Sequence, residues 1–336
     1  MKMHLVLFTV SLIFSLILAE VGLRFLGKTP IETPIGTTAD TLSQHIPVPL
    51  NLTTGIARDP LIGWKNPPGR YSYHEIDSDI TKTVWSNGSR ATSPTIPPLR
   101  PRPIVFIGDS FTHGSGLNDF ETTSWIVQSN LPDRSVYNFA TGGYGTCQVL
   151  LQLGELIKTH SFVNPLFIYG LSEFHELRNV ADPRQDFMIA ISSPSRTSYY
   201  PVCQLDINGD LLVLPPRTYE LHFPFISSSA FFRGLNDLWL QIWFEFLTDD
   251  PYLVTKRLIK DMAELVRRAD GQLIILFQSM NEAQVAKYSE FLEEIDVKYV
   301  NGAFEKDKDE LTLSDGHPNA ALNERWARMI LESLPK

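Results

Sequence analysis

The stretch Ile104-Val105-Phe106-Ile107-Gly108-Asp109-Ser110 constrains the fold of this chain more than any other. Four consecutive apolar residues, mostly β-branched, read as a strand buried on both faces, as in a parallel sheet covered by helices. Gly-Asp-Ser at its end then delivers the Ser110 hydroxyl to the rim of that sheet. A serine hydroxyl is a poor nucleophile near neutral pH, so a nucleophilic role needs a base, a group that orients the base, and donors for an oxyanion. Asp315-Gly316-His317-Pro318-Asn319, near the other end of the chain, holds an imidazole and a carboxylate. Asn138-Phe139-Ala140-Thr141-Gly142-Gly143-Tyr144-Gly145 holds a glycine-rich turn with backbone donors. Each motif taken alone has a plain structural reading: Ser110 as a helix cap, Asp315 as a cap for the last helix, the glycines as a tight turn.

Around the first strand the sequence alternates strand and helix, the pattern of a parallel sheet with helices on both faces. It predicts strands over 103–107, 135–139, 166–169, 272–277 and 297–300, and helices over 122–130, 146–159, 252–269, 282–294 and 319–333. The last helix carries Leu322, Trp326, Met329, Ile330 and Ser333 on one face, with Pro318 suited to its first turn. An insertion over about 178–251 separates the third and fourth strands. It holds a hairpin signal, 199–207 and 211–214 about Asn208-Gly209-Asp210, and then the apolar stretch 223–246. The favoured reading of that stretch is a helix buried between insertion and core; the alternative is an apolar lid or membrane-facing surface.

Together the three motifs, over roughly residues 100–336, resemble the SGNH or GDSL hydrolase family of esterases, lipases, deacetylases and acyltransferases. The resemblance implies a three-layer α/β/α flavodoxin-like fold with a mainly parallel five-stranded sheet. It implies Ser110 as nucleophile, His317 as general base and Asp315 as the acid that orients it. Family members more often place that acid three residues before the histidine; here it stands two before. The oxyanion donors implied are the Ser110 amide and the Gly143 amide, with Gly142 as the near alternative. The family's third block, Gly-x-Asn-Asp, has no Asn at that spacing in Gly170-Leu171-Ser172-Glu173-Phe174-His175-Glu176. His175 is therefore the expected third donor, with Asn179 as another candidate. His113 is a lesser candidate for lining the site, and Gln148 is expected to begin a helix.

Membrane-anchored members of this group carry two further elements, which Asp59-Pro60-Leu61-Ile62-Gly63-Trp64 and Gly88-Ser89-Arg90 resemble. In the second, Trp85 stands where an Asn is usual. Trp64 and Gly88 are expected to serve packing and a turn.

A formal charge of −9 with no cluster of Lys and Arg argues against a nucleic-acid partner. No histidine pair at ligand spacing, nucleotide-binding glycine motif or haem motif is present, so neither a metal nor another cofactor is expected. Cys147 and Cys203 are the only cysteines, and a bridge and two buried thiols are equally open. Residues 5–26 form an apolar run about as long as a bilayer-spanning helix requires, preceded by Lys2. A retained anchor is favoured over a cleaved signal peptide, with Glu20 and Arg24 pairing at the boundary. The expected organisation is an anchor or signal over 1–27, a tether and flap over 28–100, and a catalytic domain over 101–336. The expected activity is that of an extracytoplasmic serine hydrolase on an ester of a glycan, a lipid or a small molecule. The alternatives are an O-acyltransferase of the same fold acting on a glycan, and a non-catalytic, membrane-tethered binding or assembly protein.

Overall fold

The computed structural model describes residues 2–30, 57–180, 200–217, 223, 225–247, 249–304 and 308–334. The tether over 31–50, the start of the hairpin at residue 199 and the insertion residues 181–198 lie outside them. Helix α1 (Lys2–Phe25) is followed by the antiparallel pair β1 (Ala57–Asp59) and β2 (Gly63–Lys65) and by the hairpin of β3 (Gly69–Glu75) and β4 (Ser78–Val84). Next come β5 (Ile104–Ile107), α2 (Ser110–His113), α3 (Thr123–Asn130), β6 (Val136–Asn138), α4 (Thr146–Thr159), β7 (Leu166–Leu171) and α5 (His175–Asn179). A second hairpin, β8 (Tyr200–Leu205) with β9 (Leu211–Arg217), precedes α6 (Ala230–Leu247) and α7 (Pro251–Arg268). The chain closes with β10 (Gln272–Phe277), α8 (Glu282–Glu294), β11 (Lys298–Asn301) and α9 (Ala320–Ser333). Among the described residues, α1 and α6 form one compact unit and the sheet with its helices and hairpins forms another.

The central sheet runs β11-β10-β7-β5-β6, every neighbouring pair parallel. Counting only these five strands along the chain, the order is 2-1-3-4-5, the flavodoxin-like arrangement that the resemblance implies. The direction of winding reverses at β5, and in such sheets ligands bind beyond the carboxyl ends of the strands at that point. Ser110 stands there, three residues past the end of β5.

Period-two alternation sends Ile104 and Phe106 of β5 to one face, where they join Val127, Ile168, Leu276 and the fully buried Trp326 of α9 in one core cluster. Trp326 also donates from Nε1 to Gly302 O at 2.8 Å, so its one polar atom is satisfied in the core. On the other face, a disulfide joins Cys147 of α4 to Cys203 of β8 across 6.0 Å between Cα atoms, among Val180, Val254 and Leu258. That settles the open question about the cysteines and fixes the second hairpin to the core.

Two expectations need correction. Helix α9 begins at Ala320 with Asn319 as its cap, the side chain accepting from Leu322 N at 3.1 Å. Pro318 therefore precedes the cap instead of entering the first turn. The apolar stretch after residue 223 is not a buried helix: Leu238, Trp239, Ile242 and Phe246 of α6 are all exposed. Too many of its positions are apolar for one stripe, and among the described residues of α6 only Ala230, Asn236 and Leu240 are buried.

Replacing Trp326 by Ala removes the largest buried side chain of the cluster and leaves Gly302 O without its donor. The expected loss of stability is about 3–5 kcal/mol, read from the shift of the urea unfolding midpoint.

Candidate active site

At the end of β5, Gly108 has a positive φ of 152°, and a Cβ there would lie 2.5 Å from Thr112 Oγ1. Only glycine fits this elbow, which turns the strand directly into α2. Asp109 caps that short helix, accepting from Phe111 N at 3.0 Å and from Thr112 N at 3.5 Å. Ser110 is consequently held in the first turn with its side chain half-buried at the rim.

His317 reaches the same point from the other end of the chain. Its Nε2 lies 3.0 Å from Ser110 Oγ, and its Nδ1 lies 2.7 Å from Asp315 Oδ2. The same carboxylate accepts from the His317 backbone N–H at 3.0 Å. Gly316, at φ 89°, makes this turn feasible, and Leu313 N donates to His317 O at 2.7 Å to close it. The two-residue spacing is thus a self-contained loop in which one carboxylate fixes both the amide and the ring of His317. Phe111 packs edge-on against that ring with centroids 5.3 Å apart. With Nδ1 protonated toward Asp315, Nε2 is left to accept from the Ser110 hydroxyl.

The glycine-rich turn lies beside Ser110, since a Cβ on Gly142 would sit 3.8 Å from the Ser110 Cβ. Thr141 N donates to Gly108 O at 3.0 Å, Trp64 Nε1 donates to Gly142 O at 2.8 Å, and Arg178 donates to Tyr144 O at 3.0 Å. Asn66 Nδ2 adds bonds to Ala140 O and Thr141 Oγ1, both at 3.1 Å, and the Tyr144 hydroxyl bonds Trp64 O. The turn is clamped by its carbonyls and flanks, while the amides of Ser110, Gly142 and Gly143 have no partner among the described residues. Such pre-fixed N–H groups are the donors an oxyanion requires.

His175 is not placed as the third donor. It is fully buried behind the site, with Nδ1 2.8 Å from the Tyr169 hydroxyl and Nε2 3.2 Å from Asp109 Oδ2, off the line of an aligned hydrogen bond. Both ring nitrogens face buried groups, Tyr169 and Asp109, and the ring has no exposed surface with which to meet a substrate. Burial, opposed by the neighbouring Asp109 carboxylate, lowers the His175 pKa below the ordinary histidine value. Burial alone raises the Asp109 carboxyl, but His175, Arg178 and the Phe111 amide outweigh it and hold its pKa below the ordinary value. Asn179 is buried too, bonding Cys147 N and Thr255 Oγ1. Gln148 starts α4 as expected, capping Gly145 N and donating to Ile62 O.

The residue that sequence reasoning passed over is Arg90. Its fully buried guanidinium donates to the carbonyls of His113, Gly114 and Leu117 at 2.8, 2.6 and 2.6 Å, pinning the loop that follows α2. The ion pair with Asp119 at 3.3 Å completes its coordination. The sequence signal was present in Gly88-Ser89-Arg90, but it pointed to glycine when the arginine did the holding. The flap hairpin reaches the site as well: Glu75 accepts from Gly116 N at 3.1 Å, and Asp77 from Ser314 N at 2.8 Å.

No family model and no curated protein matches this chain. Among solved structures it is similar to TesA, at 13% identity over 69% of this chain and 97% of that one, with a TM-score of 0.40. It is also similar to a lipolytic G-D-S-L family protein from Veillonella parvula, at 13% identity over 69% and 98%, TM-score 0.41. A third is the esterase EstA from Pseudoalteromonas, inhibited by monoethylphosphonate, at 11% identity over 69% and 96%, TM-score 0.40. Likeness at this distance assigns no activity to the chain.

His113 is buried, with Nδ1 donating to Ala140 O at 2.8 Å, and burial together with Arg90 and Lys82 holds its pKa well below the ordinary value. The unfolded chain binds a proton there near pH 6.5 and the folded chain does not. Stability from this group is therefore complete above about pH 6.5 and falls as pH drops toward the folded pKa, by up to about 1.4 kcal/mol per pH unit. His113→Asn keeps a donor for Ala140 O and removes the titration. The expected result is a smaller difference in urea midpoint between about pH 7.5 and about pH 5.5, with a residue of slope from His175.

Proposed function

We propose that this protein is an SGNH-type serine hydrolase that cleaves ester bonds through an acyl-Ser110 intermediate. The observation that carries the reading is the hydrogen-bonded series Ser110 Oγ, His317 Nε2, His317 Nδ1 and Asp315 Oδ2, drawn from opposite ends of the catalytic unit. In it, His317 Nε2 takes the hydroxyl proton as Oγ attacks the ester carbonyl. The bond to the leaving oxygen then breaks as His317 returns that proton to the departing alcohol. Water, deprotonated by the same imidazole, attacks the acyl-enzyme and releases acid and free Ser110. Asp315 fixes the tautomer and stabilises the imidazolium that forms in each half. The amides of Ser110 and Gly143 receive the carbonyl oxygen as it becomes negative, each contributing on the order of a hundred- to a thousandfold in rate. No metal or other cofactor enters these steps.

The proposed location is extracytoplasmic, with the chain held to a membrane by residues 5–26. In support, α1 is long and apolar enough to cross a bilayer. The Cys147–Cys203 bridge suits an oxidising compartment. The proposed substrates are acyl esters of glycans, lipids or small alcohols. Transfer of the acyl group to a sugar hydroxyl would use the same intermediate, with the sugar in place of water.

A fluorophosphonate probe is expected to label the folded protein at Ser110, to leave Ser110→Ala unlabelled, and to react with His317→Ala at least about a hundredfold more slowly. Absence of labelling in folded wild-type protein would favour a non-catalytic binding role. Gly316→Ala forces a side chain into the left-handed region and should slow labelling without removing any of the three side chains. Turnover of p-nitrophenyl acetate decides between the two acceptors: a rate raised by added oligosaccharide, with an acylated sugar as product, would assign transfer.

A further inference from the structure

Helix α1 is apolar from Met3 to Phe25 with one carboxylate in its length close to an end, Glu20. A carboxylate placed in a bilayer must find donors inside the protein. Glu20 finds them at the start of α6: it accepts from Ser229 Oγ at 2.7 Å, from Phe231 N at 2.8 Å and from Ala230 N at 3.0 Å. Arg24 lies 2.6 Å from the same carboxylate and donates to Ser228 O at 3.1 Å. The contacts continue in step along both helices, since Gly234 closes on Leu23 and Asp237 pairs with Lys28 at 3.5 Å. Helix α6 thus runs in the same direction as α1, and its first turn lies about 7–8 Å short of the end of the apolar run, at 1.5 Å per residue. Beside it is a groove of about 440 Å³ with Ile13, Leu16, Ile17 and Val21 on α1 facing Phe231 and Phe232.

We propose that the segment from Phe225 through the first turns of α6 inserts into the bilayer with α1, making this unit a two-element membrane anchor. The occupant of its exposed apolar surface is the lipid itself. This rests on reading α1 as a retained anchor, and it deepens that reading. A cleaved signal peptide would take Glu20 with it, leaving the first N–H groups of α6 uncapped and the groove walls bare. Phe225, exposed just before the helix, and Phe231 and Phe232 lie at the depth of the acyl chains. Trp239 and Trp243, about 3 and about 9 Å along the helix beyond Asp237 at 1.5 Å per residue, fall at the level where indole rings collect between hydrocarbon and water. Leu238 and Trp239, exposed beside Asp237, then face the boundary between hydrocarbon and water.

The test uses the full-length protein in phosphatidylcholine/phosphatidylglycerol vesicles containing brominated lipid. The disulfide leaves no free native thiol, so Phe232→Cys and Phe14→Cys can each carry an environment-sensitive fluorophore, with Phe225→Cys as a second position in case the first disturbs folding. The expected result is quenching of the position 232 or 225 label to at least half the extent seen at position 14. Glu20→Ala should reduce that quenching severalfold and leave position 14 unchanged, with Glu20→Gln intermediate. Quenching at 14 alone would overturn the insertion of α6 and leave the anchor standing. Quenching at neither would overturn both. Quenching at 232 that is indifferent to Glu20→Ala would overturn the link between the two helices.

Discussion

The buried Asp109 carboxylate is the interaction on which the arrangement at the sheet rim depends. One oxygen caps α2 and so sets the direction of Ser110. The other lies 3.2 Å from His175 and 3.8 Å from Arg178. Arg178 in turn holds Tyr144 O, and His175 leads through the Tyr169 hydroxyl to Thr146. The loops after β5, β6 and β7 are therefore referred to one charge that no solvent reaches. A buried carboxylate is costly unless its bonds are made, so a rearrangement of any of the three loops is opposed by the same penalty. This gives the glycine turn its rigidity: its position is bound to the residue next to Ser110.

The sheet was legible in the sequence because its strands are short, continuous apolar runs and its helices are strongly amphipathic. The strand over 272–277 and the helices over 146–159 and 282–294 fall where the pattern places them. The boundaries that differ do so for local reasons, as where Asn319 takes the cap and displaces Pro318 from the first turn. Ser110, His317 and Asp315 were legible because each sits in a short motif whose residues meet one another directly.

The rest was hidden because it depends on which side of a loop a residue takes. His175 was read as facing the substrate from its distance after β7, but α5 begins at that residue and turns the imidazole inward, toward Tyr169 and Asp109. Arg90, Trp64 and Asn66 act through carbonyls of residues remote in sequence, and no periodicity records such pairings. The apolar helix α6 was misjudged for a related reason. Apolar content alone does not distinguish a buried helix from an exposed one, and among the described residues of α6 only Ala230, Asn236 and Leu240 are buried.

The hairpin of β3 and β4, with the arginine that follows it, bears on where the unit that holds the candidate site begins. The family resemblance implies an expected catalytic domain over residues 101–336. Yet the arch after α2 is propped by the Arg90 guanidinium, the edge of β6 is covered by the bridge from Arg90 to Asn138, and the loop before Asp315 leans on Asp77. A chain cut at residue 101 would keep every residue of the proposed chemistry and lose the scaffold that spaces them. The segment ahead of the sheet is better regarded as the frame of the candidate site, since Arg90, Glu75 and Asp77 hold the loops on either side of it.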